Sequence, residues 1–426
     1  MKIAVVGGGS TYTPELIEGF ADRAGTLGLD ELVLYDIDGP RLQVVGGLAQ
    51  RILARRGLAR MLRLSTDLSD AIAGAAAVLI QLRVGGQVTR LMDETLPNQF
   101  GMIGQETTGP GGFFKALRTV PVLLDIAERV RAEAGPECWI IDFTNPVGIN
   151  TRALLDAGHR ALGLCNVGIG MQRWLAALLG VEPERVRLDH LGLNHLTWVR
   201  AVEVDGTDVL PELFDRPGFE DFVRARCGVP LECARTLRAL PSYYLSYYYD
   251  TDQALAKQLA GSHRARRVME IEEELLAMYR DPALDHKPEL LDQRGGAYYS
   301  IAAAALATSL LTGDGAHHYV NLRDNGAVPQ LPDRYVIEAP ALVDRAGARA
   351  VPVRPLAPEM AGLVQAVTAY EELTIQAAIS GDPEIARRAL IAHPLVRQWS
   401  VVDALFPAML VANRTMLPAF DCCVDG

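Results

Sequence analysis

A chain of 426 residues with 49% hydrophobic content can bury a large core, as two domains or one elaborated domain. Its formal net charge of −11 argues against nucleic acid or an anionic membrane surface as a partner, and an anionic substrate would need a local basic pocket. The most apolar runs, 71–82 and 301–311, are too short to span a bilayer, and no signal-type stretch opens the chain, so a soluble cytoplasmic protein is expected. Six cysteines show no C-x-x-C spacing, which indicates neither a disulfide framework nor structural zinc.

The first predicted element is the apolar strand KIAVV (2–6), followed by GGGSTYTPEL (7–16), a glycine turn and a helix start. Gly7 and Gly9 let the backbone turn tightly and approach a pyrophosphate at a helix N-terminus. Ser10, Thr11 and Thr13 add hydroxyls, and Pro14 suits a first helical turn. The third glycine of G-x-G-x-x-G is absent, and Tyr12 holds its slot. Asp36 closes the second strand in ELVLYD, where an acid binds the adenosine ribose diol and repels a 2′-phosphate. NAD is therefore expected rather than NADP. A glycine turn alone is a weak signal, and the strand, helix and acid carry it together.

Further strands are predicted at 31–36, 61–65, 76–81, 138–143 and 160–164, with helices at 13–24, 39–56, 67–73, 113–134, 147–157 and 169–179. Near-continuous apolar strands between amphipathic helices imply an α/β doubly wound parallel sheet, covered on both faces. After about residue 183 the pattern changes. Strands joined by a turn occupy 186–206, and helices follow at 265–280, 298–312, 357–380, 382–393 and 398–413. The expectation is a Rossmann-like dinucleotide domain over 1–183 and an α+β domain over 184–426 packed on it, without a flexible tether.

Several residues fit no simple redox enzyme. Asn145 in FTNPVG follows a strand at the carboxyl edge of the sheet, where ligands bind, though an ordinary Asn-Pro turn reads the same way. Cys165 in GLCNV ends a strand beside the same crevice, and His195 stands thirty positions later in GLNH. A thiolate and an imidazole can hold a divalent metal, with zinc ahead of manganese by ligand softness. Alone they make a poor metal motif, because free cysteines are commonly core residues. LPSYYLSYYYD (240–250) carries five tyrosines, read either as an aromatic core face or as the source of a phenolic base. Arginines gather in RVGGQVTR (83–90) and SHRARR (262–267), either as phosphate forks or as solvated helix faces.

Taken in order, GGGSTYTPEL, RVGG, GQETTGPGG, FTNPVG, GLCNV, GLNH, YLSYY, KPELLDQRGGAYYS and DNGAVP resemble glycoside hydrolase family 4, the NAD-dependent glycosidases, over nearly the whole chain. That family departs from two-carboxylate glycoside hydrolysis. The resemblance implies Cys165 and His195 as ligands of Mn²⁺, or of another divalent ion, against the zinc preference above. It implies Tyr244 as the base and Arg90 and Arg264 as contacts of a sugar phosphate. Asn145 falls near substrate and nicotinamide, and Asn194 lies in the loop of His195. Asn166 stands where the α-glycosidase branch carries an acidic aspartate, so the β-glucosidase branch and 6-phospho-β-glucosides are the better match.

The implied reaction oxidises the sugar at C3 with NAD⁺, which makes the C2 proton removable, while the metal polarises the O2/O3 edge. Tyr244 takes that proton, the aglycone leaves by elimination, water adds, and the retained NADH reduces C3. A homodimer or homotetramer is implied by resemblance alone. Glu106 in GQETTGPGG is a candidate for a sugar hydroxyl or a partner for an arginine, and the neighbouring glycines suggest close backbone approach or a mobile lid. The competing readings are another family 4 specificity, an NAD-dependent 2-hydroxyacid dehydrogenase, which would need no metal, and a dinucleotide-binding regulator without catalysis.

Overall fold

The computed structural model describes residues 1–261, 263–296 and 298–423. Its first half builds six strands: β1 (Lys2–Val6), β2 (Glu31–Tyr35), β3 (Leu62–Ser65), β4 (Ala77–Ile80), β5 (Trp139–Asp142) and β6 (Ala161–Gly163). All pair in parallel, in the spatial order β3-β2-β1-β4-β5-β6. This is the doubly wound order of dinucleotide-binding folds, with its switch point between β1 and β4. β1 and β4 are apolar on both faces, as a sheet covered twice requires.

The sheet does not stop at residue 183. β6 pairs antiparallel with β9 (Ala316–Arg323), which pairs with β10 (Val336–Asp344), and β10 with β7 (Val186–Leu193). β7 and β8 (Leu196–Val204) form a hairpin, and Leu240–Pro241 closes that edge. The result is one 13-stranded sheet containing both halves of the chain. The sequence reading passed over β9 and β10, which close the gap between β6 and the hairpin.

The predicted helices of the second half form at Arg264–Tyr279, Tyr299–Thr312, Pro358–Ser380, Pro383–Ala392 and Trp399–Asn413. Two other helices shape the site. Gly86–Thr95 begins within the first arginine-rich stretch and carries Arg90 and Glu94. The helix expected to begin at residue 113 begins at Gly109 and runs to Glu133. Its glycines serve close approach: a Cβ on Gly111 would lie 2.4 Å from the carbonyl oxygens of Asp93 and Gln105, and one on Gly112 would lie 2.4 Å from Thr107. Among the described residues, no helix is long and apolar enough to cross a membrane.

Candidate active site

The glycine turn leaves β1 with the amides of Gly7 and Gly8 bonded to the Tyr35 carbonyl. Gly7 has φ +89, and a Cβ there would meet the Gln81 carbonyl oxygen at 2.5 Å. Gly9 donates to Asp36 Oδ2 at 2.8 Å, and a Cβ on Gly9 would press on the same oxygen. Helix Thr13–Leu27 then starts with Pro14 in its first turn. Turn, helix N-terminus and acid thus sit in one crevice, an arrangement suited to a dinucleotide.

Tyr12 is buried and reaches the second half of the chain. Its hydroxyl donates to the Gly296 carbonyl at 2.5 Å and accepts from the Ser300 amide at 3.3 Å. Its ring meets Tyr299 edge-on, with centroids 6.0 Å apart. The missing third glycine is therefore an anchor between the nucleotide turn and the RGGAYYS segment. Thr11 is fully buried: its hydroxyl bonds Glu272 Oε1 at 3.3 Å and its carbonyl accepts from Tyr279.

His195 occupies the β7–β8 turn with φ 61. Its ring lies on that of Tyr244, with centroids 3.6 Å apart and planes 5° from parallel. The Thr107 hydroxyl engages Nδ1 at 2.7 Å, leaving Nε2 for another partner. Burial pushes the imidazole down to about 4, so it is neutral at ordinary pH. Cys165, buried just past β6, has its thiol pushed up by burial and by the charge of Glu338, while Tyr299 and Asn194 bond it and pull the other way. Burial, then Cys165 and Tyr247, hold the Tyr244 phenol well above its ordinary value, and the charge of Arg90 opposes them.

Glu338, on β10, supports this turn from beneath. Its Oε1 bonds His190 Nε2 at 2.9 Å, and its Oε2 accepts from Asn194 at 2.9 Å and from Asn321 at 3.3 Å. Burial raises this carboxyl, but the bond to His190 and then the bond from Asn194 outweigh it and hold it below its ordinary value. Among the described residues, no group of three or more His, Cys, Asp or Glu side chains could hold a metal. A thiol and a neutral imidazole do suit a divalent ion that takes its remaining ligands from substrate. Asn145 Oδ1, buried without a protein partner, adds an oxygen donor on the same cleft wall.

The third cluster is cationic. Glu106 is buried among Arg83, Arg90 and Lys115, with Arg90 Nη2 at 3.2 Å and Lys115 Nζ at 2.5 Å. Burial raises its carboxyl, but the three cations outweigh that and hold it well below the carboxylate range. Arg90 also bonds Glu94 Oε1 at 2.8 Å. Arg264 is exposed and donates to the Gln293 carbonyl at 2.7 Å, within electrostatic reach of Arg90 and Arg294. The cations outnumber the anions here, which meets the need for a local basic pocket in an acidic protein.

One open cleft of about 1540 Å³ joins the three clusters. Gly7, Gly9, Ser10 and Asp36 line one end of it. Asn145, Asn166, His195, Tyr244, Arg90 and Arg264 line the remainder. Cys165, Asn194 and Thr11 stand behind this wall.

Residues 2–181 match the model of the family 4 glycosyl hydrolases, and residues 190–396 match that of their C-terminal domain. The chain belongs to glycoside hydrolase family 4. It is 37% identical over 433 residues to a probable 6-phospho-beta-glucosidase of Bacillus subtilis, covering 99% of this chain and 98% of the relative. It is 25% identical to the maltose-6′-phosphate glucosidase of the same organism, over 99% of this chain and 97% of that protein. A structure of the 6-phospho-beta glucosidase from Thermotoga maritima with NAD and glucose-6-phosphate matches with TM-score 0.90 and 36% identity, over 98% of this chain and 99% of that one. Another structure of that protein, with manganese, NAD⁺ and glucose-6-phosphate, matches with TM-score 0.88 and 34% identity, over 98% and 99% of the two chains. Malate dehydrogenase from Salinibacter ruber, at TM-score 0.55 and 14% identity over 90% of this chain and all of that one, shares the fold alone. Family 4 membership removes the plain dehydrogenase as the leading alternative.

The sequence reading missed Thr107, Lys115, Glu272, Arg294, Tyr299 and Glu338. Tyr299 and Arg294 lie in the RGGAYYS block and were within reach of it. Glu338 lies in a strand that had not been foreseen, so nothing local marked it.

Proposed function

We propose that this chain hydrolyses 6-phospho-β-glucosides, using NAD⁺ and a divalent metal, with Mn²⁺ the expected ion. One observation carries this reading. A single cleft joins a dinucleotide turn, a stacked histidine–tyrosine pair beside a buried cysteine, and a cluster of arginines. A plain dehydrogenase needs only the first. Greater similarity to 6-phospho-β-glucosidases than to the maltose-6′-phosphate enzyme supports the β branch, as does Asn166 in place of an acid.

In this reading, residues 1–183 supply the dinucleotide site with Arg90, Asn145, Cys165 and Asn166, and residues 184–426 bring Asn194, His195, Tyr244 and Arg264 to it. Gly7, Gly9 and Ser10 cradle the pyrophosphate and Asp36 takes the ribose diol. Cys165 and His195 hold the metal, with Asn145 and Asn194 near the sugar. Arg90 and Arg264 receive the 6-phosphate. Bound NAD⁺ supplies a reversible hydride acceptor at the sugar C3, and the metal supplies positive charge at the adjacent sugar oxygens.

Tyr244 removes the C2 proton. Its phenol is buried and strongly protonated in the ligand-free protein. It becomes a base only when positive charge enters the site, with Arg90 already contributing some. Stacking on His195 fixes the ring, so its oxygen meets the sugar in one orientation. Asn166 provides no proton to the leaving group, which suits an elimination that expels the aglycone from C1 without a carboxylic acid at that position.

The test is turnover of an aryl 6-phospho-β-glucoside, with NAD⁺ and Mn²⁺ each added and omitted, beside the non-phosphorylated glucoside. The expected result is phosphate-dependent release of the phenol without accumulation of NADH, in D₂O with deuterium at C2 of the product. Net NADH formation without aglycone release would instead identify a dehydrogenase.

A further inference from the structure

Two ligands must meet in this cleft, and Glu272 stands between the places that receive them. It lies two turns after Arg264 on helix Arg264–Tyr279, with its carboxylate buried. Its Oε1 accepts from Gln87 Nε2 at 2.9 Å, from Arg294 Nη2 at 2.8 Å and Nε at 3.2 Å, and from Thr11 Oγ1 at 3.3 Å. Its Oε2 accepts from Arg41 Nη2 at 3.2 Å. Arg41 in turn donates Nε to the Gly9 carbonyl at 2.8 Å. Two spokes thus reach the nucleotide turn, through Thr11 and through Arg41 to Gly9. Another reaches Arg294, whose charge neighbours those of Arg90 and Arg264.

A carboxylate has two oxygens and about four acceptor positions. Five N–H and O–H donors from four side chains converge on this one, four of them on Oε1, so that oxygen has no slack. A shift of Arg294 is felt at Thr11 through the shared Oε1 and at Arg41 through the other oxygen of the same rigid carboxylate. Arg41 and Arg294 also share a single negative charge, so an anion that draws on Arg294 changes what Glu272 can offer Arg41. The elements involved come from distant parts of the chain, and among the described residues no backbone ladder ties Arg294 to Gly9.

We propose that Glu272 is a positioning residue that couples dinucleotide binding to sugar-phosphate binding: a phosphate that orders Arg294 fixes Glu272, which holds Thr11 and Arg41 in the arrangement that shapes the glycine turn. The second ligand then meets a site already ordered by the first and binds more tightly. The effect is reciprocal, because the coupling free energy belongs to the pair of ligands. This inference rests on the function proposed above, and it concerns how the two sites communicate.

The test is calorimetric titration of the whole protein with NAD⁺, with and without saturating glucose 6-phosphate, and the reverse titration, with Mn²⁺ present throughout. In the wild type each ligand is expected to tighten the other by the same factor, about fivefold or more. Glu272→Gln keeps the shape and loses the charge, and the factor is expected to fall below about twofold while each ligand alone still binds. Arg41→Ala removes one half-exposed spoke and carries the test if Glu272→Gln fails to fold. It should lose the coupling and leave glucose 6-phosphate affinity without NAD⁺ unchanged, an outcome that general loosening of the protein would not produce. Wild-type binding of both ligands with no coupling, or full coupling in the folded variants, would overturn the inference alone. Wild-type binding of neither ligand would overturn the functional reading and the inference with it.

Discussion

The imidazole of His195 lies flat on the phenol ring of Tyr244, with centroids 3.6 Å apart and planes 5° from parallel. A proposed metal ligand and a proposed base are thereby held as one rigid unit, although they belong to different elements and are 49 positions apart in the sequence. Thr107 bonds one edge of this unit and Glu338 supports the turn that carries it.

Tyr244→Phe keeps the stack and removes the base. It should lower kcat by about 10²–10⁴-fold, the range for loss of a general base, with NAD⁺ affinity little changed. Steady-state kinetics and the rate of C2 deuterium uptake measure this. Equal deuterium uptake in wild type and variant would move the base to another residue.

Metal affinity should rise with pH in a defined way. The His195 imidazole, pushed down to about 4, is already neutral above about pH 5 and releases no proton on binding. The Cys165 thiol, pushed up by burial, is protonated and must lose one proton to become a ligand. From pH 6 to 8 the Kd for Mn²⁺ should therefore fall about tenfold per pH unit, with one proton released. Cys165→Ser should weaken binding and flatten this slope. Titration in buffers of different ionisation enthalpy counts the proton, and a count of two would assign an unforeseen second titrating ligand.

Glu338 never needs to touch substrate to matter. Glu338→Ala leaves the side chains of His190, Asn194 and Asn321 without their buried acceptor. Mn²⁺ affinity should fall about 10–100-fold, as is usual when the support behind a ligand is removed. NAD⁺ affinity should hold. Parallel titrations of both ligands, with thermal melting to check folding, separate this from general destabilisation.

Arg264 is exposed and donates a hydrogen bond to the Gln293 carbonyl. Arg264→Ala should leave stability within about 0.5 kcal/mol of wild type. KM for a phosphorylated substrate should rise by about 10–100-fold, the loss of a charged hydrogen bond. Any turnover of the non-phosphorylated glucoside should be unaffected. A parallel loss on both substrates would place Arg264 outside the phosphate site.

The structure also resolves how far local pattern reaches in this chain. β1 to β6 and their helices were legible because apolar runs and amphipathic stretches alternate, and this pattern depends only on neighbours along the chain. The glycine turn and Asp36 were legible for the same reason, since they flank their strands within a few residues. Cys165 and His195 were only weakly legible as residues, and the ordered motifs of family 4 were needed to single them out.

Sequence alone therefore determined the doubly wound half, its dinucleotide turn and, through nine ordered motifs, the family. Tertiary structure decided which charges face one another. It put Glu106 among three cations, Glu338 beneath the His195 turn and Glu272 among the side chains of Thr11, Arg41, Gln87 and Arg294. It also turned Tyr12, a defect in a glycine fingerprint, into a clasp on Gly296 and Ser300. The physical reason is range. A strand or a turn is specified by residues in covalent proximity, whereas a buried charge is meaningful only with its partner, and Tyr12 and Ser300 meet 288 positions apart because the sheet has already brought their elements together.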